Sequence, residues 1–141
     1  MSYLGARGEF LNAIKSMVLG MSAGEREIPP SVRQQLARFQ QLQQTLNVIL
    51  VEKQRLEAEL VEVKDALEEL QKSSDEAVVY KAVGPVLVQS DRQKLIEELS
   101  ERRELAETRL KLLEKQEQRA REQLETLQKE LRQVLSGQGA G

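Results

Sequence analysis

The sequence contains no cysteine, no histidine and no tryptophan, and only two tyrosines and two phenylalanines among its 141 residues. Each gap removes chemistry. Without histidine or cysteine there is no Ser–His–Asp triad, no thiol nucleophile and no His/Cys zinc site. No disulfide framework can form, which fits a reducing compartment. No apolar run approaches the ~20 residues that cross a bilayer as a helix. Residues 1–20 are interrupted by Arg7, Glu9, Asn12 and Lys15 and do not read as a secretory signal. No Gly-rich phosphate loop is present, so ATP use is not expected. The net charge of −2 mixes both signs along the chain and leaves no basic stripe for a nucleic acid. The expectation is a non-enzymatic protein without metal or cofactor.

What remains is 31% charged and 40% hydrophobic residues, enough apolar material to order the chain if it is patterned. Glycine and proline divide the chain into four zones. A Gly- and Ser-punctuated leader covers residues 1–27. A Leu/Gln/Glu-rich stretch over 30–72 has neither breaker after Pro30, a β-rich connector covers 73–90, and a second stretch free of both over 91–136 runs into a flexible end at 137–141. The leader is either a dispensable extension, with Met21 as an alternative start, or a short amphipathic segment presenting Phe10, Ile14, Met17, Val18 and Met21 on one face. Pro29-Pro30 suits a helix start. Ser31 to Gln34 and Ser90 to Gln93 have the spacing of a capping box. Ser136-Gly137 suits a helix end, because glycine tolerates the left-handed C-cap. Each predicted helix, at 1.5 Å per residue, would be about 63–69 Å long.

The long stretches carry an unbroken alternation of three- and four-residue steps. In the first the series is Val32, Gln35, Phe39, Leu42, Leu46, Ile49, Lys53, Leu56, Leu60, Val63, Leu67 and Leu70. In the second it is Ile96, Leu99, Arg103, Ala106, Leu110, Leu113, Glu117, Ala120, Leu124, Leu127, Leu131 and Val134. This is a heptad seam at the a and d positions, sustained over more than five heptads in each helix. The two seams mirror each other about the segment between them: Leu70 faces Ile96, Leu56 faces Leu110, and Val32 faces Val134. An antiparallel pair closed by its own connector requires that symmetry. Large meets small at Leu60–Ala106 and Leu46–Ala120, as dense packing wants. Lys53 and Glu117 fall one layer apart on opposite helices. They either contact each other and fix the register or reach separately to water.

The connector changes period. Val78-Val79-Tyr80-Lys81-Ala82-Val83 and Val86-Leu87-Val88 are rich in β-branched residues, and Gly84-Pro85 between them is turn chemistry. One hairpin over 78–88 fits. A lone hairpin is marginal in water and leaves backbone edges unpaired, so it is expected to pair with strands of other subunits. The alternative is a hairpin folded back on its own helices.

Three blocks together resemble a known family: Ile28-Pro29-Pro30, then Gln34-Gln35-Leu36-Ala37-Arg38-Phe39-Gln40-Gln41-Leu42-Gln43-Gln44, then Val79-Tyr80-Lys81-Ala82-Val83-Gly84-Pro85-Val86-Leu87-Val88. They resemble the β-type subunit of prefoldin over residues 28–135, and the single short hairpin matches the β-type rather than the two-hairpin α-type. The resemblance implies a mainly α chain of residues 28–141, a long antiparallel two-helix coiled coil whose hairpin enters an intersubunit β-barrel. It further implies a cytoplasmic hexamer of two α-type and four β-type subunits. Such a hexamer binds unfolded polypeptide at the coiled-coil tips without ATP and passes it to a chaperonin. Nucleic acid and membrane are not expected partners.

On that reading Val78, Val79, Tyr80, Val83, Gly84, Pro85, Val86, Leu87 and Val88 form the oligomerisation element. The tip far from the connector carries Val32, Leu36, Phe39 and Leu42 from the first helix and Leu127, Leu131, Val134 and Leu135 from the second. Leu36 and Leu135 lie off the seam and should stay partly exposed. Helix ends open at little cost, and non-directional apolar burial suits clients of any sequence. The plainer alternative for each tip residue is ordinary coiled-coil core. Glu57, Glu59, Glu62, Glu68 and Glu69 read as a solvated helix face rather than a metal or acid/base cluster, and Arg102, Arg103, Arg119 and Arg121 as cations that solvate or pair along the helix. A different function class remains beside the chaperone: a coiled-coil tether for one defined folded partner.

Overall fold

A computed structural model describes Asn12 and residues 28–140, with side chains as far as Gly137. The amphipathic face expected at Phe10, Ile14, Met17, Val18 and Met21 lies outside the described residues. The order of elements is α1 (Pro30–Lys72), β1 (Val79–Val83), β2 (Val86–Ser90) and α2 (Arg92–Ala140). Two long helices thus flank one two-stranded antiparallel sheet.

The helix ends follow local chemistry, with three departures from expectation. At the start of α1 the Arg33 N–H donates to the Pro29 carbonyl at 3.0 Å. Pro30 therefore occupies the first helical position, where its missing N–H costs nothing, and Ser31 sits inside the first turn rather than capping it. At the start of α2 the cap is Asp91, not Ser90: its Oδ1 accepts from the Lys94 N–H at 3.0 Å, while the Leu95 N–H donates to its carbonyl. A carboxylate at this place also meets the positive end of the helix dipole. At its other end α2 continues through Ser136-Gly137 to Ala140. Gly84 alone among the described glycines has a positive φ, so Gly137 keeps helical geometry; glycine permits a left-handed cap without imposing one.

The chain forms two compact units. In the unit comprising residues up to Leu50 and from Gln116 onward, the beginning of α1 and the end of α2 share one core: Val32, Phe39, Leu46, Ala120, Leu124, Leu127 and Leu131, with Ile28, Leu36, Leu42, Leu50 and Val134 against it. Phe39, Leu46, Leu124 and Leu131 are fully buried. Leu46 and Ala120 belong to the same cluster, the large-to-small layer that the mirrored seam predicts.

The unit Val51–Lys115 buries Leu56, Leu60, Val63 and Leu67 of α1 with Ala106 and Leu113 of α2. Three ion pairs cross between the helices: Arg109–Glu52 at 3.2 Å, Arg102–Glu59 at 3.1 Å and Lys64–Glu107 at 3.8 Å. In heptad terms the first two join g to g and the third e to e, the flanking pattern of an antiparallel pair. All are substantially exposed and screened by solvent, so each adds little stability; their larger effect is on orientation and register. Every buried apolar residue of the described chain lies on the predicted seam. Arg103 is the seam position that fails: it is exposed, 4.0 Å from Glu107. Its long stem lets the guanidinium leave the interface for water.

Candidate interaction surfaces

The hairpin is built by its turn. Gly84 has φ 58° and Pro85 is confined to negative φ, which gives the type II′ turn whose twist matches paired strands. The register follows: Val79 opposite Ser90, Tyr80 opposite Gln89, Lys81 opposite Val88, Ala82 opposite Leu87 and Val83 opposite Val86. Val79, Lys81, Val83, Val86 and Val88 therefore share one face, and Tyr80, Ala82, Leu87 and Gln89 share the other.

Almost nothing of the described chain covers either face. Val78, Tyr80, Val83, Val86, Leu87 and Val88 are all exposed, Leu87 to 71%, and Val79 is half-buried. Six of the eleven large exposed apolar residues of the described chain fall in this short segment, a concentration that marks an interaction surface rather than scattered surface apolarity. Among the described residues each strand also presents one unpaired backbone edge. Full burial of such side chains is worth roughly 1.5–3 kcal/mol each.

Two polar tethers hold the hairpin's base. Lys81 Nζ donates to Glu98 Oε2 at 2.9 Å, linking β1 to α2. This hydrogen bond is the main reason the Glu98 carboxyl sits below its ordinary pKa of 4.5. Arg92, the first residue of α2, donates from Nε to the Leu70 carbonyl at 3.0 Å and to Ser73 Oγ at 3.1 Å, and from Nη1 to Asp75 Oδ1 at 3.1 Å. Its guanidinium thereby joins the Ser73 hydroxyl, which donates to the same carbonyl at 2.6 Å, in closing the last turn of α1. Sequence reasoning missed both tethers. The alternation of Lys81 with valines was visible, but its partner was not; for Arg92 the partners lie across the whole connector. In the body of this unit, hydrogen bonds from Arg55 and then Arg109 lower the Glu52 pKa.

The residues expected at the tip are brought together, but in a closed arrangement. Val32, Phe39, Leu127 and Leu131 are buried, Leu36, Leu42 and Val134 pack half-buried against them, and Leu135 is half-buried. Ile28, which the heptad count did not include, joins this cluster. One polar atom is trapped here: Gln35 Oε1 is buried and has no hydrogen-bond partner among the described residues. Glu117 is half-buried and accepts from Arg121 of its own helix at 2.7 Å.

The proposed glutamate face is solvated along α1, with Glu59 reaching Arg102 and Glu68 reaching Lys72 at 3.0 Å. Arg102 thus pairs across helices rather than along one. Among the described residues no three potential ligands gather to hold a metal ion, and no helix is long and apolar enough to cross a membrane.

The family model described as Prefoldin subunit matches residues 33–138. The chain is 44% identical over 112 residues to "Prefoldin subunit beta" of Archaeoglobus fulgidus, covering 79% of this chain and 97% of that protein. It is 38% identical over 116 residues to the same subunit of Pyrococcus furiosus, covering 82% and 99% respectively. Among solved structures it resembles the prefoldin beta subunit from Thermococcus strain KS-1, with a TM-score of 0.68 and 38% identity over 77% of this chain and 96% of that one.

Proposed function

This chain belongs to the prefoldin family, in its β-subunit branch, and from that premise we propose that it is an ATP-independent holdase subunit. In this reading it assembles with an α-type subunit, as four β-type and two α-type chains, through hairpins that complete an intersubunit β-barrel. Unfolded polypeptide binds at the helix ends through Val32, Leu36, Phe39, Leu42, Leu127, Leu131, Val134 and Leu135, and the complex passes it to a group II-type chaperonin in the cytoplasm.

The observation that carries the assembly half is the uncovered hairpin. Among the described residues the helices bury their seams against each other, whereas the strands bury almost nothing and keep both backbone edges free. The client half rests on the apolar cluster where the first turns of α1 meet the last turns of α2, since helix termini open locally at the lowest free-energy cost. Several such ends in one assembly add avidity to weak single contacts.

One observation favours the alternative of a tether for a defined folded partner: none of the eight helix-end residues is exposed in the closed arrangement. An aggregation assay separates the two. The chain, alone and mixed with an α-type subunit, is added without ATP to chemically unfolded test proteins of unrelated sequence. Suppression that requires the mixture, followed by release to a chaperonin, is expected. A hexamer confirmed by mass that suppresses nothing would overturn the holdase reading in favour of the tether.

A further inference from the structure

The g positions of the two units differ in character. At the g positions of the Val51–Lys115 unit, Glu52 meets Arg109 and Glu59 meets Arg102. In the unit containing the helix ends, Thr45, Gln116 and Gln123 stand at g positions, and a groove opens there. Leu42, Ile49 and Ala120 floor it; the last two are buried, and alanine at a seam position leaves a trough where a larger residue would fill it. Gln41 and Gln44 wall it from α1, Gln116 and Gln123 from α2. Val48 stands on its rim at 67% exposure. Arg119 is the one charged residue of the lining, and residues 30–51 contain no aspartate or glutamate.

Amides and an apolar floor select an occupant. Each glutamine side chain offers both an acceptor and two donors without charge, matching the alternating C=O and N–H of an extended backbone. A folded protein has spent those groups within its own elements. A nucleic acid would need cations along its phosphates, and one arginine does not supply them.

We propose that this amide-walled groove is a second client subsite, which grips extended, uncharged stretches of non-native polypeptide through their backbone while its floor takes small aliphatic side chains. The inference deepens the holdase reading and rests on it. It extends the grip beyond the helix-end residues, sharing Leu42 with them, and makes that part available without opening the coiled coil.

The test uses the full chain assembled with an α-type subunit, carrying a photoreactive amino acid at Val48, at Leu36 or at Val61. Val61 is a control because it is a comparably exposed valine, at 60%, that does not line the groove. The probe is α-lactalbumin kept unfolded by reduction and carboxamidomethylation. Cross-linking at Val48 well above Val61 is expected. The Gln41→Glu, Gln44→Glu, Gln123→Glu variant, which keeps side-chain size but loses the donors, should lower the Val48 yield by about fivefold, the factor one ordinary hydrogen bond represents, and leave Leu36 unchanged. Cross-links at Leu36 with Val48 no higher than Val61 would overturn the groove and spare the holdase reading. No cross-links at any of the three positions would overturn both. Reaction of Val48 with a neighbouring subunit in the absence of client would show the groove to be a subunit interface and overturn it as well.

Discussion

Gln35→Leu is the substitution in which stability and function should move in opposite directions. Gln35 occupies a seam position, and its Oε1 is buried without a hydrogen-bond partner among the described residues. A buried acceptor left unpaired costs ~1–3 kcal/mol. The residue as a whole is only half-buried, which puts the cost at the lower end, about 1 kcal/mol. Leucine and glutamine have similar helix propensities, so the backbone term nearly cancels, and leucine adds apolar contact with the neighbouring cluster. The closed helix ends should therefore gain ~1 kcal/mol, and the open population should fall about fivefold.

Two measurements read this out. Native-state hydrogen exchange of the amides around Gln35 reports local opening and should slow by about fivefold. If clients bind the opened ends, the apparent affinity for an unfolded probe scales with the open fraction and should weaken by the same factor. Unchanged or faster exchange would refute the claim that the trapped carbonyl is a cost. Slower exchange with undiminished client binding would refute the claim that clients need the seam residues uncovered, and would shift the binding to surface already exposed, such as the amide-walled groove.

Tyr80→Lys combined with Leu87→Lys should abolish assembly, seen by native mass spectrometry, while circular dichroism keeps its helical signal; both residues are exposed and share a face, whereas lysine at Val88 would face Lys81 and disturb the hairpin itself. The Glu98–Lys81 tether should be complete above pH 4.5, the ordinary glutamate value, and be lost as pH falls through the lower folded-state pKa. Glu98→Gln at neutral pH should reproduce that loss, visible as faster exchange of the β1 amides, and exchange that stays slow in both conditions would exclude the tether. Arg92→Met should cost about 1 kcal/mol, the net worth of a hydrogen bond, because the Leu70 carbonyl and the Ser73 hydroxyl keep each other as partners at 2.6 Å when the guanidinium is gone, and Arg92→Lys should not rescue it, because one ammonium lacks the planar fork that serves Leu70, Ser73 and Asp75 together; denaturant midpoints check both.

What could be read from sequence and what could not divides by the range of the physics. The seam was legible because a strict heptad over so many turns admits one arrangement, and its mirror symmetry about the connector adds antiparallel pairing. The fully buried Phe39, Leu46, Leu124 and Leu131 all lie on it. The hairpin was legible because Gly-Pro between β-branched runs suits few turns. Cap identity was not, since Ser90 and Asp91 are adjacent residues of nearly equal capping preference and only the folded geometry ranks them. The end of α2 was misplaced because glycine in a helix costs only about 1 kcal/mol, too little to stop it at Gly137. Arg92 and the groove at Ala120 were beyond reach for another reason: each depends on which faces of two distant segments become neighbours. The contrast that matters for function is visible at both levels. A helical pair that buries its own seam gains little from a partner, while a two-stranded sheet bearing Tyr80, Val86 and Leu87 exposed gains both strand pairing and apolar burial from one. Assembly should therefore begin at the hairpin and leave the helix ends free for other work.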